Sequence, residues 1–139
     1  MRKIFADTNY WIALLNPKDE LHHKAKYISA ELGSHFTVTS EMVLTELLND
    51  FAKRGEYFRN IAASLTHQLQ SAPNCEVVPQ TSILFRDAVG LYANRIDKTW
   101  SLTDCASFII MKERQVTEAL THDVHFVQAS FRALLRNED

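Results

Sequence analysis

The stretch Lys3-Ile4-Phe5-Ala6-Asp7-Thr8-Asn9 decides the fold. Its apolar run is too short for a helix and stops at polar groups, so it reads as a strand buried on both faces. The triplet Asp7-Thr8-Asn9 turns the chain. Residues 10–15 then continue as a short apolar helical piece, which Asn16-Pro17 closes. A buried strand running straight into a helix is the opening half of a βα unit.

The same alternation recurs down the chain. A helix over residues 20–32 carries Leu21, Ala25, Ile28 and Leu32 at core spacing and ends at Gly33. Residues 36–39 suit a second strand, and Ser40 is placed to cap a helix over residues 41–52. Ile61, Leu65 and Leu69 mark another helix over residues 57–70, broken by Pro73. Residues 75–78 form a third strand, and Thr81 or Ser82 caps a helix carrying Ile83, Leu84, Ala88, Leu91 and Tyr92. After a loop over residues 94–101, Leu102 or Thr103 starts the next helix. Residues 118–120 give a fourth strand, residues 124–135 a terminal helix, and Asn137, Glu138 and Asp139 fray. This order predicts an α/β fold, with a mostly parallel sheet covered on both faces, in a single domain spanning residues 1–139.

Composition narrows the function. The formal net charge is -2 and no basic tail is present, which argues against a bulk electrostatic nucleic-acid binder. Contact with a polyanion must come from local groups and from metal. Met1-Arg2-Lys3 leads into too few apolar residues for a secretory h-region, and no apolar run approaches the roughly 20 residues of a membrane span, so a cytoplasmic protein is expected. Cys75 and Cys105 lack Cys-x-x-Cys spacing and are expected to be reduced and buried.

In parallel α/β sheets, ligands bind beyond the carboxyl ends of the strands. Asp7 and Asp123 each follow a strand, Asp104 opens a helix, and Glu46 lies within the 41–52 helix. Ordinary roles stand beside the chemical one. Asp104 and Asp123 could cap their helices, and Glu46 could sit on a solvated face. Glu41, a competitor for Glu46, gains from the helix dipole without any catalytic role. Carboxylates that converge repel one another unless a cation is present, and oxygen donors favour Mg2+ or Mn2+. Such ions activate water and offset charge on a phosphodiester. Taken alone, this spacing reaches a divalent-metal hydrolase, with nuclease and phosphatase both open.

Four fragments carry a resemblance: Asp7-Thr8-Asn9, Thr45-Glu46-Leu47-Leu48, Ser101-Leu102-Thr103-Asp104-Cys105-Ala106, and Thr121-His122-Asp123 followed by Phe126. In this order and at these intervals the chain resembles a PIN domain, and among PIN domains the VapC-type toxins of prokaryotic type II toxin–antitoxin pairs. The resemblance covers roughly residues 2 to 135. It implies a three-layer α/β/α fold around a four- to five-stranded, mostly parallel sheet, and a ribonuclease dependent on Mg2+ or Mn2+. It further implies a homodimer held inactive by a small antitoxin whose C-terminal segment crosses the site.

On this resemblance Asp7 is the central metal ligand and Asp104 the second. Glu46 and Asp123 complete the acidic set, directly or through water. Thr8 and Asn9, beside Asp7, position it or a metal-bound water, and Thr121 matches the family's hydroxyl beside the last acid; the ordinary role of all three is to satisfy local backbone groups in turns. Related readings are a PIN nuclease that processes RNA or cleaves DNA, and a catalytically silent PIN-fold binding module. An aspartyl-nucleophile phosphatase would want a second aspartate where Asn9 stands. His122 and His125 are read as no zinc pair, because hard carboxylates dominate their neighbourhood, and His22-His23 as a solvated helix start. Arg86, Arg95 and Lys98, and separately Lys53, Arg54 and Arg59, are candidate phosphate contacts whose ordinary role is solubilising charge. Trp100 is expected to wedge against the fold rather than stack on a base.

Overall fold

The computed structural model describes residues 1–136. The expected fraying of Asn137, Glu138 and Asp139 lies outside them. Ile4, Phe5 and Ala6 have no exposed surface, and β1 (Lys3–Ala6) forms the centre of a five-stranded sheet. The other strands are β2 (Phe36–Ser40), β3 (Cys75–Val78), β4 (Glu118–Leu120) and β5 (Arg132–Ala133). Their order is β3-β2-β1-β4-β5 and every pairing is parallel. Helices cover both faces in an α/β/α sandwich.

The chain builds outward from β1 to β3, then crosses back to lay β4 on the other side of β1. Strand order therefore reverses between β1 and β4, and parallel α/β sheets take ligands beyond the carboxyl ends at such a point. Register brings Ala6 beside Leu120, and the Asp7 amide donates to the Leu120 carbonyl at 3.2 Å. The residues that follow these two strands are thereby held side by side.

Helices α1 (Thr8–Leu15), α2 (His22–Leu32), α3 (Glu41–Phe51), α4 (Glu56–Ser71), α5 (Ser82–Asn94) and α6 (Leu102–Glu113) follow the expected order. Ser40 caps α3 by accepting from the Val43 amide, and Thr81 caps α5 by accepting from the Leu84 amide. Ser101 caps α6 in a reciprocal box with Asp104. Trp100 is buried, its indole N–H donating to Gln128 at 2.9 Å and its ring edge-on to Phe108. Cys105 is buried, whereas Cys75 is only half-buried on β3, and both thiols are free.

The expected terminal helix is corrected. Helix α7 covers only Val124–Gln128, and β5 follows. Ser130 takes a left-handed φ of 73°, which ends the helical run. Beyond it Ala133 and Leu135 are buried and Arg132 is exposed, an alternation that suits a strand. The Arg132 and Leu134 amides donate to the Thr117 and Ala119 carbonyls at 2.9 Å. The free edge of β4 offers those carbonyls, and pairing them outweighs local helix propensity.

Candidate functional site

Asp7 leaves β1 in an extended conformation at the N-cap of α1, yet its side chain makes no capping bond. Instead it turns inward and is only 5% exposed. One carboxylate oxygen, Oδ2, accepts from the Thr121 hydroxyl at 2.9 Å and from the Asn9 amide at 3.2 Å. Asn9 also donates to Thr121 Oγ1 at 3.1 Å and accepts from the His122 amide at 3.1 Å. The Asp123 amide donates to Thr121 Oγ1 at 3.1 Å. Thr121 and Asn9 thus lock the start of α1 to the loop after β4. Burial pushes the Asp7 carboxyl up to about 7; the Thr8 amide and Thr121 hydroxyl pull the other way, while Asp104 and Asp123 add repulsion.

Asp104 stands at the third position of α6 and is buried. Its Oδ2 accepts from the Ser101 amide at 3.0 Å and lies 2.8 Å from His125 Nδ1. Burial raises its pKa and nearby Asp123 adds to the rise, against the Ser101 amide and His125, which lower it. Asp123 caps α7, its Oδ1 accepting from the His125 amide at 2.9 Å and lying 3.3 Å from His125 Nδ1. Capping and site membership are therefore compatible for both aspartates.

Glu46 is exposed on α3. Its Oε1 accepts from the Thr8 hydroxyl at 2.7 Å, which ties it to the residue beside Asp7. Glu41 is engaged elsewhere, accepting from the Gln80 amide. Thr8 therefore reaches toward Glu46, while Asn9 and Thr121 hold Asp7. All the residues singled out around the acids fall in one hydrogen-bonded neighbourhood, but not in one tight ligand shell.

The tight group is Asp104, Asp123 and His125, whose ligand atoms lie within 4.8 Å of one another. Read along the chain, His125 is only one half of the His122–His125 spacing, which is no zinc pair. The usable signal was its place two residues after Asp123, in the first turn of a helix. His122 takes no part in this group; its carbonyl accepts from Arg136 at 2.9 Å. The set of two carboxylates, one imidazole and a neighbouring buried Asp7 fits a divalent cation. Such a charge would offset the repulsion that adds to the burial-driven rise at Asp7 and Asp104.

Four of the six candidate basic contacts have a partner. Arg95 pairs with Asp97 at 3.0 Å and lies over the Trp100 ring at 4.7 Å from its centre. Lys98 lies 3.9 Å from Asp97. Arg54 pairs with Asp50, and Arg59 donates to the Ala52 carbonyl. A cleft of about 620 Å³, lined by Arg86, Arg95, Trp100 and Gln128 among others, contains none of the four acids.

Known proteins place this geometry. The 23S rRNA-specific endonuclease VapC20 of Mycobacterium tuberculosis is 29% identical over 128 residues, covering 92% of this chain and 95% of the relative. The crystal structure of that VapC20, described as a sarcin-ricin loop cleaving toxin, superposes with a TM-score of 0.82 at 28% identity, covering 92% of this chain and 95% of that one. FitAcB from Neisseria gonorrhoeae shares the fold, with a TM-score of 0.62 at 21% identity over 94% of each chain. The PIN domain profile matches residues 4–132. With Asp7, Asp104 and Asp123 gathered where strand order reverses, this chain belongs to the PIN domain family, and its homology runs to the VapC-type members.

Proposed function

We propose that this protein is a divalent-metal-dependent endoribonuclease, acting in the cytoplasm as the toxin of a toxin–antitoxin pair. The observation that carries this reading is the convergence of Asp7, Asp104 and Asp123 at the β1–β4 reversal, with Asp7 pushed up to about 7 by burial and by its acidic neighbours. Asp104, Asp123 and Asp7 would hold Mg2+ or Mn2+, and Glu46, whose carboxylate accepts from the Thr8 hydroxyl, would orient the attacking water from the α3 side. The ion, when bound, lowers the pKa of that water and offsets negative charge building on the phosphodiester. Asn9 and Thr121 hold the Asp7 carboxylate in place.

RNA is the substrate class this reading favours, by kinship with the VapC20 endonuclease. A loop of ribosomal RNA is therefore the first substrate to try. Purified protein freed of any co-purified antitoxin should cut a sarcin–ricin loop oligonucleotide with Mn2+ or Mg2+, and lose the activity in chelator and in Asp104→Asn. Single-stranded DNA in parallel tests the DNA-cleaving reading. Absence of cleavage on a panel of structured RNAs, with metal bound, would reject the endoribonuclease assignment.

The partners in this reading are a small antitoxin and a second copy of the chain. Support comes from apolar surface on α5, where Ile83, Phe85, Val89 and Tyr92 are all exposed. Light scattering on the purified chain tests the homodimer, and a search beside the gene for a small reading frame whose product co-purifies with this chain tests the antitoxin.

A further inference from the structure

His125 brings nitrogen to a site otherwise made of oxygen. Its Nδ1 faces both carboxylates, 2.8 Å from Asp104 Oδ2 and 3.3 Å from Asp123 Oδ1. On the far side of the ring, Nε2 lies 3.2 Å from the Thr99 hydroxyl. With an ion between the aspartates, the tautomer protonated on Nε2 would donate to Thr99 and present the Nδ1 lone pair to the metal. The His125 backbone is anchored as well, its amide donating to Asp123 at 2.9 Å. Ring and carboxylate thus share one short turn.

The spacing suits coordination. Neighbouring ligands on an octahedral ion, bonded at about 2.1 Å, lie about 3.0 Å apart. The two separations from Nδ1 fall on either side of that value. We infer that His125 is a direct nitrogen ligand of the divalent ion, and that this nitrogen makes the site prefer Mn2+ to Mg2+. Mg2+ holds its water tightly and takes oxygen donors, whereas Mn2+ accepts an imidazole beside carboxylates. Thr99 acts as a positioning residue, fixing the tautomer and the ring angle. The inference rests on the metal-dependent reading above. It goes further by naming a ligand that is not an acid and by ranking the ions.

The test uses the full chain without RNA, loaded with Mn2+ alone. Pulsed electron paramagnetic resonance should detect the ¹⁴N coupling of a directly bound imidazole in the wild type and lose it in His125→Ala. Outer-sphere partners of metal ligands are worth 10–100-fold in affinity, so losing a ligand should weaken Mn2+ binding about tenfold or more. Mg2+ binding, read by competition, should change much less. Thr99→Val keeps the ring, and so should keep the nitrogen coupling while weakening Mn2+.

Mn2+ bound without nitrogen coupling, and with equal affinity in His125→Ala, would overturn the inference and leave the nuclease reading intact. That result would make His125 a hydrogen-bond partner of Asp104. A wild-type protein that binds neither ion would overturn the inference together with the reading beneath it. The wild-type spectrum is decisive even if a variant fails to fold.

Discussion

Asp7 is where folding and chemistry conflict. Its carboxyl is buried beside two other acids and pushed up to about 7, against roughly 3.9 for an aspartate in water. Because the folded state holds this proton more tightly, Asp7 stabilises the protein when protonated. That contribution is full below about pH 4 and is lost as pH rises toward 7. The rise corresponds to roughly 4 kcal/mol if no ion intervenes. Metal-free Asp7→Asn should therefore be more stable than wild type at pH 8 and should show a flatter pH dependence between 4 and 7. Urea denaturation at several pH values in chelator would measure this. The same substitution should abolish metal-dependent cleavage, so one residue trades stability for function. A wild-type protein equally stable at pH 5 and pH 8 would contradict this account.

The two serine caps separate structural from chemical roles at the level of the helix. Ser40 accepts from the Val43 amide at 3.1 Å and Ser101 accepts from the Asp104 amide at 3.0 Å. Each serine-to-alanine change should cost about 1 kcal/mol, read by thermal or urea denaturation. Only Ser101→Ala should also weaken Mn2+ binding, since Ser101 and Asp104 hold each other in a reciprocal box at the site. Equal metal affinity in the two variants would show that the box serves α6 alone. The segment formed by β5 and the residues just after it makes a prediction of its own. Leu135 is fully buried, and its amide donates to the Thr121 carbonyl at 3.0 Å. Leu135→Ala should cost about 2–5 kcal/mol in urea denaturation. In the wild type, NMR should place Ala133 opposite Ala119, their register partner. A helical contact pattern there would refute the strand.

For the whole molecule, the proposed metal site would couple binding to folding. An ion that binds only the native state stabilises it by about 2.7 kcal/mol when free metal reaches 100 times its Kd. Mn2+ should raise the melting temperature of the wild type, and the rise should shrink in Asp104→Asn. Scanning calorimetry at matched metal concentration would show it. An identical rise in the variant would place the bound ion elsewhere. Among the described residues no helix is long and apolar enough to cross a membrane.

The parts legible from sequence were those governed by local rules. Ile4-Phe5-Ala6 could only be a buried strand, Ser40 and Thr81 announced their helices, and alternating elements implied a parallel sheet. Asp7 and Asp123 stood at strand ends by the same reasoning, and family resemblance supplied their chemical meaning. Local rules failed where a partner distant in sequence set the outcome. Residues 124–135 carry a helix-like pattern, yet the open edge of β4 recruits the last part of them as β5. His125 looked incidental beside His122 until α6 and α7 came together and put its Nδ1 against Asp104, 21 positions earlier. Capping and burial depend on neighbouring residues and can be read along the chain. Strand pairing and ligand geometry depend on contacts that only the completed fold brings within reach.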